Sequence, residues 1–353
     1  MNPFALSIVN ATAGAFDRAV TSAVRRAQRR RRPAPTVSHD ERLALLGQLR
    51  RSYDEVARAS EGRAFFPPPA AAEPRLRHVR LAPFGATVSD AEWPSRYEPI
   101  LPEVRGRYLE CRENHTAHAR LFLHPSPRPT AVLVHGYLGG HYRFEEFAFP
   151  LPWLYRIGFD VALFVLPFHA RRAAPGRGGA PPFPGADPRF TVEGFRQAIG
   201  DLRALVGWLR GRGAPSVGVM GMSLGGYTTS LAATLDAELS FAVQVIPLAC
   251  LADYARDTGQ LGAGAEASAQ RAALAALYEP VSPFGRPGLV PPSRVLVVGA
   301  QGDAITPFYH AERLAAHFGA PLVAFAGGHL LQVGARGAWR QVKAFWRGLG
   351  LID

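Results

Sequence analysis

Cysteine is scarce in this chain, and that scarcity excludes two kinds of architecture. Cys111 and Cys250 lie far apart, with no CxxC or Cys/His spacing around either. Neither a disulfide framework nor a thiolate zinc site is expected, and no metal is implied. Both read as core residues of a reducing compartment. Long apolar runs are missing too: no stretch comes near the about 20 uninterrupted apolar residues that a membrane-crossing helix needs. The chain reads as a soluble protein.

Lysine is almost absent. Lys343 is the sole lysine among 40 basic residues, so the net charge of +12 is carried by arginine, in a chain also rich in alanine, glycine and proline. Nucleic-acid binders cluster their positive charge where it can meet phosphates. Here the one cluster is Arg25, Arg26 and Arg29 to Arg32, and the arginine bias reads as a GC-rich coding background; no nucleic-acid partner is expected. The first residues also lack the secretory order, because the arginines follow the apolar residues. A cytoplasmic location is the expectation.

The 353 residues suffice for one large α/β domain with additions. Residues 1–75 form an expected N-terminal helical extension. Within 1–32, Ile8, Phe16, Val20 and Val24 fall on one helical face that ends in the arginines. That face suits docking or solvent, or alternatively peripheral contact with anionic lipid. A linker at Pro33 to Pro35 precedes a second helix over about His39–Ala59. The run Pro67 to Pro69 and Ala70 to Ala72 closes the region.

Residues 76–353 change to short β-branched or apolar runs, each followed by a helical pattern. That alternation marks a parallel sheet with crossover helices. Early strands are predicted at His78–Leu81, Gly106–Cys111 and His118–Leu123, followed by core strands at Ala131–Val134, Val161–Leu166, Val217–Met220, Phe241–Ile246, Val295–Val298 and Leu322–Phe325. Helices are predicted near Phe144–Tyr155, at Val192–Arg210, Gly225–Leu235, Tyr309–Phe318 and Trp339–Leu349. Two interruptions remain, a Gly- and Pro-rich loop at 171–190 and an insertion at 249–292 that reads as a small cap.

The sharpest local pattern is Gly221-Met222-Ser223-Leu224-Gly225, set between a β-run and a helical run. A serine at such a turn is strained, and the chain folds back so closely that the residues two before and two after it must be small. A serine hydroxyl is a poor nucleophile near neutral pH and needs a histidine to take its proton and an acid to hold that histidine. Asp303 follows the strand Val295–Val298, although it could merely cap the next helix. His329 follows Gly327-Gly328 after the last strand. Two backbone amides should stabilise the oxyanion, one from Leu224 and one from Tyr137, with Leu138 as the alternative, in the stretch His135-Gly136-Tyr137-Leu138-Gly139-Gly140. His135 itself reads as a structural hydrogen-bonding residue.

These elements together resemble the α/β-hydrolase superfamily. The resemblance covers about residues 76–353 and implies a mostly parallel eight-stranded sheet with helices on both faces. It also implies a triad of Ser223, Asp303 and His329, acyl-serine chemistry on a small-molecule acyl substrate, and no cofactor. The expected activity is carboxylic-ester hydrolysis. A peptidase, an acyltransferase, a membrane-associated lipid hydrolase and a silent binding protein are the rivals. Pro167, Phe168, His169, Arg171 and Arg172 lie where ligands bind in such sheets, and the arginines could grip an anionic group. Asp253 or Asp257 could replace Asp303 as the acid. His141 and Tyr142 could line the pocket or simply open a helix.

Overall fold

A computed structural model describes residues 3–31, 37–59, 65–176 and 180–353. The linker at Pro33 to Pro35, Arg32, and the side chains of Arg25 and Arg29 to Arg31 lie outside the described residues, as does the middle of the 171–190 loop.

The chain runs α1 (Pro3–Arg31), α2 (His39–Ala59), β1 (Arg75–Leu81), β2 (Thr87–Pro94), α3 (Pro102–Leu109), β3 (Thr116–Leu123), β4 (Thr130–Val134), α4 (Tyr142–Ala148) and α5 (Leu151–Arg156). It continues through β5 (Asp160–Phe164), α6 (Pro188–Gly211), β6 (Val217–Met222), α7 (Leu224–Ala233), β7 (Ala242–Val245), α8 (Leu251–Asp257) and α9 (Gly264–Tyr278). It ends with β8 (Val295–Ala300), α10 (Tyr309–Phe318), β9 (Leu322–Phe325) and α11 (Ala335–Gly348). One sheet of nine strands has the order β1-β2-β3-β5-β4-β6-β7-β8-β9. The first three strands and the β3–β5 pair are antiparallel, and every pair from β5 to β9 is parallel.

The strands are apolar on both faces because helices cover both. In β4, Val132 and Val134 join the core shared with α2, α3, α6, α7, α8, α9 and α10, while Ala131 and Leu133 join the core shared with α4, α5 and α11. A strand buried on both sides reads as a continuous apolar run, and for that reason β4 to β8 are legible in the sequence. Helix α2 is no loose extension: Leu46, Leu49 and Tyr53 are buried in the first core, and the Tyr53 hydroxyl donates to Glu193 at 3.0 Å.

The sheet has nine strands, one more than the eight that the resemblance implied. The extra one is β2, hidden because buried positions of its first half hold Ser89 and Asp90. Asp90 is tolerated there by Arg120, whose Nε donates to it at 2.7 Å. The expected strand at Gly106–Cys111 is instead the end of helix α3 and the turn after it. Pro102 at the first turn pre-sets the helix, and Val104 and Tyr108, four residues apart, bury one face. The helix expected near Phe144–Tyr155 is split in two at Phe149-Pro150, since a proline inside a helix costs an amide and a clash.

At the far side of the sheet, Trp346 of α11 is fully buried against Phe159, Phe241 and Trp153, with ring centroids 4.8, 5.6 and 6.1 Å away. Trp346→Ala is expected to destabilise the fold by about 3–5 kcal/mol, measured as a shift of the urea unfolding midpoint.

Candidate active site

Strand β6 passes into α7 at a single residue. Ser223 occupies that point with φ 58° and ψ −114°, a backbone conformation that ordinary residues avoid. A Cβ at Gly221 would overlap the Gly225 carbonyl, and one at Gly225 would overlap the carbonyl of Val134 in β4. The turn is pinned to the neighbouring strand exit: Ser223 N donates to Val245 O at 3.0 Å, and Leu248 N donates to Ser223 O at 3.1 Å. The Leu224 amide opens α7 and therefore has no acceptor inside the helix.

Across from this turn, Gly136 lies so near that an added Cβ would stand 3.4 Å from Ser223 Cβ and 3.8 Å from its Oγ. Gly139 N donates to Gly136 O at 3.1 Å, which closes a tight turn with Leu138 at φ 66°. That bond leaves the Tyr137 and Leu138 amides outside the turn's own bonding. Two buried side chains hold the turn. His135 donates from Nδ1 to Gly136 O at 2.7 Å and accepts at Nε2 from Leu166 N at 3.0 Å, so it is the neutral Nδ1–H tautomer. Burial and the nearby His169 push it down to about 3. Its role is structural, as its sequence context suggested.

The second support was missed by sequence reading. Glu145 of α4 accepts from Gly140 N at 2.7 Å and is itself buried. Burial pushes its carboxyl up to about 7, against the smaller pull of the Gly140 amide. Nothing distinguishes it in the sequence from an ordinary surface glutamate.

On the other side, His329 and Asp303 come together from the loops after β9 and β8. His329 Nδ1 donates to Asp303 Oδ2 at 2.7 Å. Asp303 divides its oxygens: Oδ1 accepts from the amides of Ile305 and Thr306, both at 2.8 Å, while Oδ2 serves the histidine. It therefore caps its own turn and orients His329, two roles that the sequence presented as alternatives. Thr306, another unpredicted residue, places its hydroxyl 3.0 Å from Asp303 Oδ2, 3.1 Å from His329 Nδ1 and 3.1 Å from Ile246 O. Burial alone would push the imidazole down, but the charge and hydrogen bond of Asp303, with the Asp17 carboxylate, leave it raised above the ordinary 6.5.

Ser223 and the His329–Asp303 pair share the carboxyl edge of the sheet. The exit of β7 links them, since Val245 O binds the serine amide and Ile246 O binds Thr306. Among the described residues, no hydrogen bond joins Ser223 Oγ to His329, and the imidazole's Nε2 is uncommitted. A buried imidazole held at Nδ1 by a carboxylate keeps its other nitrogen available to accept a proton.

The remaining candidates separate. Asp253 is bound by Arg271 at 2.7 Å and by Arg313, and Asp257 by the Tyr309 hydroxyl, so neither is directed to His329. Arg172 is fully buried in an ion pair with Asp201 at 2.8 Å and is not available to grip a ligand. Arg171 is half-exposed beside Asp90 and Glu92. His169 is buried, with Nδ1 bonded to Pro167 O, in a loop strained at Phe168 and Ala170. His141 is exposed where α4 begins, and the Tyr142 ring is core beneath the Arg120 guanidinium, 4.4 Å from its centroid. Among the described residues no group of side chains is arranged to hold a metal ion, and no helix is long and apolar enough to cross a membrane.

A mostly parallel sheet flanked by helices on both faces, a strand-serine-helix turn and a late Asp–His pair define the class: the chain has the α/β-hydrolase fold. No protein-family model matches it. The uncharacterized protein Rv2627c of Mycobacterium tuberculosis (strain ATCC 25618 / H37Rv) is 34% identical over 257 residues, covering 70% of this chain and 60% of that protein. The uncharacterized protein MT2702 of strain CDC 1551 / Oshkosh matches to the same extent. The match thus spans less than two thirds of the length of these relatives. Acetyl xylan esterase 1 from Thermoanaerobacterium sp. JW/SL YS485 is similar in structure with a TM-score of 0.53 at 16% identity, covering 86% of this chain and 93% of that one. The acetyl xylan esterase from Paenibacillus sp. R4 gives 0.51 at 15% identity, with 89% and 96% covered. Identities so low speak for the fold alone.

Glu145 provides a test of the Gly136–Gly140 loop. Its folded carboxyl lies above the unfolded value of 4.5, so its burial costs nothing below that pH and progressively more as pH rises through about 7. Glu145→Gln keeps an acceptor for Gly140 N. It is expected to be near neutral at pH 4 and to stabilise the protein by roughly 2 kcal/mol at pH 8, read from urea melts at the two pH values.

Proposed function

We propose that the chain is a serine hydrolase acting on carboxylic esters through an acyl-Ser223 intermediate. The observation that carries this reading is the Asp303–His329 pair, uncommitted at Nε2, on the same sheet edge as a serine held at positive φ between Gly221 and Gly225. His329 takes the serine proton as Oγ attacks the acyl carbon and returns it to the leaving alkoxide. It then draws a proton from water, whose oxygen attacks the acyl carbon, and returns that proton to Ser223 Oγ as the acyl carbon–Oγ bond breaks and the acid leaves. Asp303 stabilises the imidazolium in both halves, while Thr306 and the Ile305 amide keep its carboxylate in place. The amides of Leu224 and Tyr137 flank the carbonyl oxygen as it gains charge. The two acetyl xylan esterases that share the fold favour ester chemistry over peptide or acyl-transfer chemistry, which the same groups could perform.

Hydrolysis of p-nitrophenyl esters from acetyl to long acyl chains tests this. Ser223→Ala is expected to lose at least ~10³-fold in kcat and all labelling by a serine-directed phosphonate, with an unchanged unfolding midpoint. Retained labelling of the variant would refute the assignment. Because the base must be neutral and His329 is raised, kcat/KM is expected to fall on the acid side with an apparent pKa above 6.5. His329→Ala should abolish that limb together with the activity.

A second reading concerns where the enzyme works. Phe4, Ile8 and Phe16 project outward from α1, with Arg26 exposed further along. Such a face suits the surface of an anionic membrane. Wild-type protein is then expected to sediment with phosphatidylglycerol vesicles and the Phe4→Ser, Phe16→Ser double variant to remain in the supernatant; equal behaviour of the two would remove this reading.

A further inference from the structure

Helix α1 is mounted in reverse for an amphipathic helix. Phe4 is 75% and Ile8 51% exposed, whereas Asp17 is fully buried. The expected apolar face points outward, and the face laid against the protein consists of Asn10, Ala13, Gly14 and Asp17. Polar groups are costly to bury without partners, so the partners explain the arrangement.

They are backbone amides of the two loops that carry Asp303 and His329. Asp17 Oδ2 accepts from His329 N at 2.7 Å and from Ala304 N at 3.3 Å, and Asp17 Oδ1 accepts from Leu330 N at 3.0 Å. Asn10 Oδ1 accepts from Gly327 N at 2.9 Å. The approach is too close for side chains on the loops. A Cβ at Gly302 would stand 2.5 Å from Asn10 O, and one at Gly328 would stand 2.5 Å from Asp17 Oδ2 and 3.1 Å from Ala13 Cβ. The second glycine of Gly327-Gly328-His329 is therefore required by the helix lying on it.

We propose that Asp17 is a positioning residue for His329: one carboxylate from outside the sheet ties the His329 loop to the Asp303 loop and so sets the imidazole against its acid. This rests on His329 being the base of the proposed hydrolase. Packing alone would be served by alanine, as at Ala13. An acceptor is needed because the loops after β8 and β9 turn three amides toward one point beneath the helix, and alanine would leave all three without this partner. The same carboxylate acts on the imidazole through space. The charged groups that bear on His329 are Asp303, from the β8 loop, and Asp17, from α1; both favour its protonated form.

Asp17→Asn in the full-length protein is the test, because it keeps the shape but removes the charge and sets an N–H against an amide N–H. Two readouts are expected to move together. On p-nitrophenyl acetate kcat falls about 10- to 100-fold with little change in KM. In a substrate-free NMR titration the His329 imidazole shows a pKa lower by about 0.5. Asp17→Glu, which keeps the charge but not the reach, should return the titration toward wild type without restoring kcat. A wild-type titration and wild-type kcat in Asp17→Asn would overturn the proposal, as would a loss of kcat that merely tracks loss of folded protein. The titration needs no turnover, so a wild-type protein inert to every ester and to phosphonate would remove the hydrolase reading while the imidazole shift still decided the role of Asp17. If Asp17→Asn does not fold, Asn10→Ala frees the Gly327 amide alone. Faster hydrogen exchange at residues 327–330 is then expected, and unchanged exchange there would overturn the clamp.

Discussion

A chain that must leave β6 and enter α7 at one residue has almost no freedom in what surrounds that residue. The helix starts so near the strand that Gly221 faces the Gly225 backbone, and Gly225 in turn meets the Val134 carbonyl of the adjacent strand. Ser223 accepts the strained conformation because its amide and carbonyl are both tied to the chain at the exit of β7. Strand order follows suit. With β4 and β7 on either side of β6, the Gly136 turn and the Ile246–Leu248 segment are brought up against the serine.

Around this rigid point the loops are held by buried polar groups rather than by apolar packing. His135 and Glu145 hold the Gly136–Gly140 turn, Thr306 holds Asp303, and Asp17 holds the loop of His329. A buried donor or acceptor without a partner is expensive, so each of these side chains has few arrangements open to it. Apolar contacts would permit sliding by an ångström or more. Directed bonds to named amides do not, and acid–base chemistry needs that fixity.

Legibility followed the range of the interaction. The elbow could be read because its requirement is steric and falls within five residues. Strands β4 to β8 could be read because burial on both faces makes them apolar throughout. Strand β2 could not, since its buried Ser89 and Asp90 make sense only beside Arg120 of the next strand. The end of helix α3 reads as a strand because the helix's one buried pair, Val104 and Tyr108, is too short a signal to set its period. The face of α1 stays open between docking, solvent and lipid in the sequence for a related reason: the bonds that fix its orientation reach residues 287 to 317 positions away, 312 in the case of His329.

By itself the sequence determined the α/β-hydrolase fold, the serine at the turn, and the places of Asp303 and His329 after the last strands. Those features depend on spacing along the chain and on the chemistry of single residues. Tertiary structure alone decided that Asp303 caps its turn and holds the histidine at once, that Arg172 is a buried ion pair, and that α1 presents Asp17 to the His329 loop. Each of these depends on which distant groups share a buried point, and a buried polar atom takes its meaning from the partner that satisfies it.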